Sequence, residues 1–185
     1  MIKLIFIFFI TFILSNYSFA STKEKILENL KKINNLSFNF KQTIAGKDEQ
    51  GDCVIQYPRK IYCSYKYKNN KILVSNGKSL VIKSDKNNQY YRYSLESTPL
   101  KLILDKDLLL MKIKELDGKN INEKYYNFSL KDKNNTINIY FDNKNYNLIG
   151  WQTEDIYQNL SVTFIYDLKI NEKINNKLFN LPEMY

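Results

Sequence analysis

Apolar and polar residues alternate along most of the chain beyond residue 34, and a period of two is typical of β-strands with one buried face. Short turns rich in Asn, Asp, Gly or Pro separate the alternating runs, and Asn76-Gly77 is a strong hairpin signal. The pattern predicts an antiparallel sheet whose strands cover residues 36–40, 54–57, 61–67, 72–75, 79–83, 89–95, 125–131, 136–141, 147–154 and 160–167.

The segment that precedes these strands follows a helical pattern instead. In residues 21–34 the apolar positions recur at the spacing of one side of an amphipathic helix. Ser21 or Thr22 can cap this helix, and Glu24 lies in the first turn, where a negative charge is favourable. The apolar stripe consists of Ile26, Leu27, Leu30 and Ile33.

A second helical region is predicted in the middle of the chain. Thr98 followed by Pro99 is a typical helix start, because Thr caps the first turn and Pro fits the first helical position. Residues 100–104 and 108–113 are rich in Leu and Ile, more so than one buried stripe requires. We therefore predict one or two short and very apolar helices here.

The first 20 residues are typical of a secretory signal peptide. Lys3 provides a basic start, residues 4–14 are apolar except for Thr11, and Ser18-Phe19-Ala20 fits the small-x-small cleavage pattern. An uncleaved membrane anchor is the alternative, but a spanning helix needs about 20 apolar residues. We expect cleavage after Ala20 and export of residues 21–185 as one domain. Since no cysteine lies near this site, we expect no lipid-modified cysteine at the mature N-terminus.

Composition excludes several classes of active site. The 185 residues include no histidine and only two cysteines, which excludes imidazole metal sites, Ser-His-Asp triads and four-cysteine zinc sites. The five glycines are isolated, so the chain has no glycine-rich phosphate loop. Glu154 and Asp155 are adjacent and would point to opposite faces of a strand. We expect neither an enzyme nor a bound cofactor or metal.

The net charge of +9, from 28 basic and 19 acidic residues, does not by itself indicate nucleic-acid binding. A nucleic-acid groove needs clustered Arg and Lys beside aromatic stacking platforms. Here the lysines are spread through the turns, and Arg59 and Arg92 are the only arginines. The charge allows a general attraction to anionic surfaces, but we expect no nucleic-acid partner.

The two cysteines, Cys53 and Cys63, stand at equal distances from Pro58 on either side of a predicted turn. In an antiparallel hairpin such residues lie opposite each other with Cα atoms about 4.5–5.5 Å apart, a separation that a disulfide can span. An exported protein also meets an oxidising compartment. We predict a disulfide rather than a redox or metal-binding pair. Because its loop is short, it should contribute at the low end of about 2–4 kcal/mol.

One face of the predicted sheet is almost continuously apolar, whereas the other carries Ser, Asn, Lys, Gln and Thr. The apolar face comprises Phe38, Phe40, Ile55, Ile61, Tyr65, Leu80, Ile82, Tyr91, Tyr93, Ile137, Ile139, Phe141, Ile149, Trp151, Leu160, Val162 and Phe164. This face needs a cover, which the first helix and the central insertion with Leu100, Ile103 and Leu104 can provide. The space between the sheet and this cover is then either a filled core or an apolar cavity under a removable lid. Export and the absence of catalytic groups favour a carrier of an apolar ligand.

Short motifs through most of the mature chain carry a family resemblance. They are Phe40-Lys41-Gln42, Gly51 opening a strand that runs to Pro58, Val74-Ser75-Asn76-Gly77-Lys78, Thr98-Pro99-Leu100-Lys101-Leu102-Ile103-Leu104, Ile149-Gly150-Trp151-Gln152-Thr153, and Phe179 with Pro182. In order and spacing, and together with the signal peptide, the motifs resemble the periplasmic outer-membrane lipoprotein carrier family of Gram-negative bacteria, the soluble LolA-type chaperones.

This resemblance implies both a fold and a function. The fold would be mainly β with short α-helices, a half-open antiparallel β-barrel (a concave sheet) with a helical lid. The protein would be a monomeric periplasmic carrier, without a cofactor, that binds the acyl chains of lipoproteins in an apolar cavity. It would receive this cargo from an inner-membrane lipoprotein-releasing ABC transporter and pass it to an outer-membrane lipoprotein acceptor. The alternatives are a periplasmic binding protein for other hydrophobic ligands and a secreted interaction module without a ligand.

Two positions depart from the family pattern. The family usually has an arginine directly before the proline that matches Pro58, and this arginine ties the barrel to the lid. Here that position is Tyr57, with Arg59 just beyond the proline, so both are candidates for the lid latch. The family commonly has an aromatic residue where Cys63 stands, and a disulfide there would narrow and stiffen the wall of the cavity.

Overall fold

The protein is built on one large antiparallel sheet, in a computed structural model that describes residues 21–67, 70–132, 135–154 and 159–184. The predicted signal peptide, residues 1–20, lies outside the described residues. The strands are β1 (Asn35–Ile44), β2 (Lys47–Gln56), β3 (Lys60–Tyr65), β4 (Ile72–Asn76), β5 (Ser79–Ser84), β6 (Gln89–Ser94), β7 (Lys119–Ile121), β8 (Tyr125–Asp132), β9 (Asn135–Asp142), β10 (Leu148–Glu154) and β11 (Leu160–Ile170).

The strand order leaves the sheet open. Hydrogen-bonded neighbours follow the order β6-β5-β4-β3-β2-β1-β11-β10-β9-β8-β7, so the first and last strands of the sequence meet in the centre. In the described part of the chain, the outermost strands β6 and β7 each have one partner. The predicted mainly β fold, with a half-open antiparallel barrel and short helices, is confirmed.

Within the described ranges three short α-helices accompany the sheet, namely α1 (Thr22–Lys32), α2 (Lys101–Leu104) and α3 (Lys106–Glu115). The predicted start of α1 is confirmed, because the Ser21 hydroxyl accepts the Glu24 N–H at 3.2 Å and the Glu24 carboxylate accepts the Ser21 N–H at 2.6 Å. None of the helices in the described residues is long and apolar enough to cross a membrane.

The three helices bury their apolar sides in the same core as one face of the sheet, and we call this the concave face. α3 packs against both α1 and α2. The helix residues in this core are Ile26, Leu27, Leu30, Leu102, Ile103, Leu104, Leu109 and Ile113. The first helix and the central insertion are therefore the cover that the apolar face required.

The second helical region begins later than predicted. The backbone N–H of Thr98 donates to the Leu95 carbonyl at 3.0 Å and closes a 3-10 turn over Leu95–Ser97, and the Thr98 hydroxyl donates to the same carbonyl at 3.0 Å instead of capping a helix. The helix α2 then starts at Lys101. The competing local hydrogen bond of a Thr side chain explains the difference.

The opposite, convex face is not polar throughout, contrary to the prediction. Val74 and Val81 pair across β4 and β5 and are almost fully buried, yet they lie outside the main core. The 3-10 turn Asn176–Phe179 packs on β3 and β4 there, and Phe179 is buried as well. The end of the chain thus seals one patch of the convex face with a second, small apolar cluster.

The prediction that Leu160, Val162 and Phe164 belong to the concave face is wrong. Phe164 pairs with Lys41 and is 56% exposed, and Leu160 is 42% exposed. The residues of β11 that face the core are instead Thr163, opposite Trp151, and Ile165. The phase of β11 that carries Leu160, Val162 and Phe164 is the more apolar one. The pairing of β11 with β1 and β10 nevertheless turns the other phase inward.

Ile149 also leaves the concave face, because β10 carries a bulge. Leu148 pairs with Phe141, but Gly150 pairs with Tyr140, so one extra residue is inserted between them. Leu148 is consequently buried on the concave side together with Trp151. A Cβ atom on Gly150 would lie 2.3 Å from the Thr163 carbonyl oxygen, which explains the glycine at this bulge.

Candidate ligand-binding cavity

A small cavity of about 40 Å³ lies between the concave face and the helices. Its lining is mostly apolar and comprises Phe40, Gln42, Cys53, Ile61, Cys63, Tyr65, Leu73, Leu100, Trp151 and Thr163. Five of the predicted ligand-binding residues are brought together here, namely Phe40, Ile61, Tyr65, Leu100 and Trp151.

Aromatic rings build the rigid part of this wall. Phe38 and Trp151 meet edge to face with ring centroids 6.3 Å apart, and Phe40 and Tyr65 meet in the same way at 5.1 Å. Gly51 allows this packing, since a Cβ atom there would come within 2.7 Å of the Phe40 ring and 2.1 Å of the Ser64 carbonyl oxygen. The glycine of the predicted motif is thus required by the close approach of β1, β2 and β3.

The predicted disulfide is confirmed. Cys53 and Cys63 pair directly across β2 and β3, with their Cα atoms 4.1 Å apart, and their sulfur atoms are bonded. Both side chains are buried and line the cavity. The cross-link therefore lies in the wall of the cavity, between the rings of Phe40 and Tyr65 on one side and Leu73 on the other.

The other predicted site residues occupy three different environments. Phe38, Ile55, Leu80, Ile103, Leu104, Ile139 and Phe141 are buried in the filled core around the cavity. Ile82, Tyr91 and Tyr93 share the concave face but lie towards its open edge, where the two tyrosines are about half exposed. Leu160, Val162 and Phe164 lie on the convex face, and they cannot contact a ligand in this cavity.

A polar cluster at the floor of the cavity was not predicted. The Gln42 side-chain amide donates to the Thr163 hydroxyl at 2.9 Å and to the Ser161 hydroxyl at 3.1 Å. These bonds satisfy the inward-facing polar side chains of β11, and they explain why its less apolar phase is tolerated inside. Gln42 belongs to the Phe-Lys-Gln motif, so the motif itself was the available signal.

Arg59 connects the turn between β2 and β3 with the segment that carries α2. Its backbone N–H donates to the Leu104 carbonyl at 2.7 Å, and its guanidinium group donates to the Glu96 carboxylate and lies 3.9 Å from Asp105. Lys101 pairs with the same Glu96 at 2.8 Å. Lys101 and Arg59 together hold the pKa of Glu96 below its usual range.

Tyr57 makes a different kind of contact. Its ring is in contact with the core, burial raises the pKa of its hydroxyl, and this hydroxyl has no hydrogen-bond partner among the described residues. Its backbone N–H donates to the Asn34 carbonyl at 3.0 Å, and the Lys106 ammonium lies 5.6 Å from the centre of its ring. Of the two latch candidates, only Arg59 makes polar side-chain bonds to the segment around α2.

The lining of the cavity is mostly apolar, and its polar side chains carry no charge. Within the described ranges no group of three or more His, Cys, Asp or Glu residues could hold a metal ion. The polar groups of the lining are an amide and hydroxyls, which can orient a ligand but supply no nucleophile and base pair.

The fold and the sequence both relate this chain to known proteins. No curated protein sequence matches it. A LolA superfamily protein from Nitrosomonas europaea superposes with a TM-score of 0.50 at 13% identity, covering 88% of this chain and 99% of that one. A conserved uncharacterized protein from Thermus thermophilus superposes with a TM-score of 0.52 at 9% identity, covering 88% and 96%. The family model described as outer membrane lipoprotein carrier protein LolA matches residues 31–182, and the chain therefore belongs to this family.

Proposed function

We propose that this protein is a periplasmic carrier that buries the acyl chains of lipoproteins between its concave face and its helices. It would receive the cargo from an inner-membrane ABC transporter and deliver it to an outer-membrane acceptor, without catalysis. Family membership supports the class of function. The observation that carries the proposal is the mostly apolar cavity lined by Leu100, the residue directly before the four-residue helix α2, which we propose as the lid.

The cavity is too small to hold an acyl chain as it stands. Pockets for drug-sized ligands measure about 300–1,000 Å³, and the cavity here measures about 40 Å³. An acyl chain can therefore enter only if α2 and Leu100 move away from the sheet. Because α2 is short and joined to its neighbours by turns, this movement does not require any strand to unpair.

The energies of the two states are comparable, as a reversible carrier requires. Burying one fully apolar side chain contributes about 1.5–3 kcal/mol, so exposing Leu102, Ile103 and Leu104 would cost roughly 5–9 kcal/mol. Burying an acyl chain of about 15 methylene groups contributes about 12 kcal/mol at ~0.8 kcal/mol each. One chain thus offsets lid opening and leaves roughly 3–7 kcal/mol, which still allows release.

Arg59 is the proposed latch of the lid. Its side-chain bonds reach Glu96 and Asp105, which flank α2 in sequence, so they hold the lid segment at both ends. These ion pairs are partly exposed to solvent, and pairs of this kind contribute about 0–1 kcal/mol each. Such a link can position the lid and still break when cargo enters.

The test is direct binding of a lipopeptide. The full chain is expressed in a Gram-negative host, and the mature protein from its periplasm is examined by native mass spectrometry with a triacylated lipopeptide. We expect a 1:1 adduct that a fluorescent apolar probe displaces. A folded, disulfide-bonded protein without an adduct would overturn the proposal.

A pair of variants tests whether the lid takes part. Leu104→Glu places a charge in the buried contact of the lid and should abolish binding, whereas Leu160→Glu on the convex face should leave binding unchanged. Circular dichroism of both variants shows whether the sheet is retained. Unchanged binding by Leu104→Glu would remove the lid from the site.

A further inference from the structure

A second and larger cavity, of about 360 Å³, lies at the open end of the concave face. We call it the mouth cavity. It is lined by Glu49, Tyr67, Lys71, Ile82, Ser84, Lys86, Gln89 and Tyr91. Ile82 pairs directly with Leu73, which lines the apolar cavity, so the two spaces are neighbours on one face of the sheet. We call the apolar cavity of about 40 Å³ the inner cavity. A molecule with its apolar part in the inner cavity would have its polar part in the mouth cavity.

The floor of the mouth cavity is a largely buried ion pair. The Lys71 ammonium lies 2.7 Å from a carboxylate oxygen of Glu49, and the two side chains are only 22% and 14% exposed. The same ammonium lies 4.1 Å from the centre of the Tyr65 ring, which lines the inner cavity. The pair therefore sits where the polar mouth meets the apolar interior.

Both members of this pair have bonding capacity left. Among the described residues, the second carboxylate oxygen of Glu49 has no hydrogen-bond partner, and the Lys71 ammonium donates to Glu49 alone. A ligand that offers one donor and one acceptor would satisfy both groups. A backbone amide is such a ligand, because it carries an N–H and a C=O and no net charge.

An anionic headgroup fits less well. Lys86 adds a positive charge to the lining, but it is exposed to solvent. At the largely buried pair, the Glu49 carboxylate already neutralises Lys71, and a phosphate beside Lys71 would also lie beside that carboxylate. A peptide finds a further complement next to the ion pair, because Gln89 and Tyr91 belong to the edge strand β6. Among the described strands β6 pairs only with β5, so its outer edge is open to an extended polypeptide.

We propose that the mouth cavity binds the polypeptide segment next to the acylated residue of the cargo, with backbone amides bonded to Glu49 and Lys71. This inference rests on the proposed function and names the second part of the same ligand. The site would distinguish an acylated polypeptide from a lipid that carries the same acyl chains.

Three ligands with identical acyl chains test the proposal. They are an N-acetylated peptide that begins with a diacylglyceryl cysteine, the corresponding diacylglycerol, and the corresponding phosphatidylglycerol. Each competes with a fluorescent apolar probe on the mature protein. The variant is the double substitution Glu49→Leu with Lys71→Met, since removal of one partner alone would leave a buried charge uncompensated. The matched control is Lys41→Met with Asp48→Leu, an exposed ion pair of 2.8 Å between β1 and β2 on the convex face.

We expect the mouth variant to bind the acylated peptide at least about tenfold more weakly, from the loss of two hydrogen bonds, and the diacylglycerol as well as the wild type does. The control variant should bind all three ligands unchanged. An equal loss for peptide and diacylglycerol, or no loss for either, would overturn the proposal. So would a loss confined to phosphatidylglycerol, which would assign the site to a lipid headgroup. If the wild type binds none of the ligands, the proposed carrier function fails first.

Discussion

Breaking the bond between Cys53 and Cys63 should lower stability by an amount that the structure allows us to estimate. The cross-link closes a loop with a sequence separation of 10. In the chain-entropy description, a loop of this length corresponds to about 2.7 kcal/mol at 25 °C. For a protein of this size, about 1 kcal/mol shifts the unfolding temperature by roughly 2–4 °C. Reduction should therefore lower the unfolding temperature by roughly 5–10 °C.

The assay is thermal unfolding of the mature protein followed by circular dichroism, with and without a reducing agent. This comparison keeps the amino-acid sequence constant and isolates the bond itself. The double variant Cys53→Ala with Cys63→Ala should unfold close to the reduced wild type and should no longer respond to the reducing agent. Equal unfolding temperatures for oxidised and reduced wild type, or free thiols in protein taken from the periplasm, would refute the reasoning.

Two further predictions concern the phase of β11 and the network at the lid. Phe164→Ser should change the free energy of unfolding by less than about 0.5 kcal/mol, whereas Ile165→Ser should lower it by about 2–4 kcal/mol because Ile165 is buried. Urea denaturation measures both values. The reverse ranking would mean that the phase with Phe164 faces inward. Lys101 and Arg59 lower the pKa of Glu96 from 4.5, so its stabilising bonds are complete above that value and are lost as the pH falls through the lowered pKa. Probe binding should thus be constant from about pH 8 to 6 and change only below about pH 4, and a change near neutrality would exclude this network as the cause.

The features that the sequence predicted correctly depend on local patterns. The helix start at Ser21 follows from a capping box of four residues, and the pairing of Cys53 with Cys63 follows from their symmetry about one turn. These signals need no knowledge of distant residues. The same holds for the turn between β4 and β5, where the Asn76 side chain accepts two backbone N–H groups.

The predictions that proved wrong concern which face a side chain points to, and this depends on contacts with residues that are distant in sequence. The more apolar phase of β11 faces outward, because the register of this strand with β1 and β10 turns Thr163 inward and Phe164 outward. Likewise, the bulge before Gly150 turns Ile149 to the other face. Val74 is buried on the convex face, where the 3-10 turn Asn176–Phe179 from the end of the chain packs on β3 and β4. Amphipathic alternation gives the period of a strand, but tertiary packing sets its phase.

The central pairing of β1 with β11 has a consequence for the order in which the protein folds. The two groups of strands on either side consist of sequence neighbours, such as β4 and β5 or β8 and β9, and can form through short loops. β1 and β11 lie about 120 residues apart, and closing a loop of that length costs roughly 4 kcal/mol of chain entropy. We therefore expect the pairing of β1 with β11 to be the late, rate-limiting step of folding. The inner cavity takes Gln42 from β1 and Thr163 from β11, so it comes into existence only when the last strand of the chain has docked.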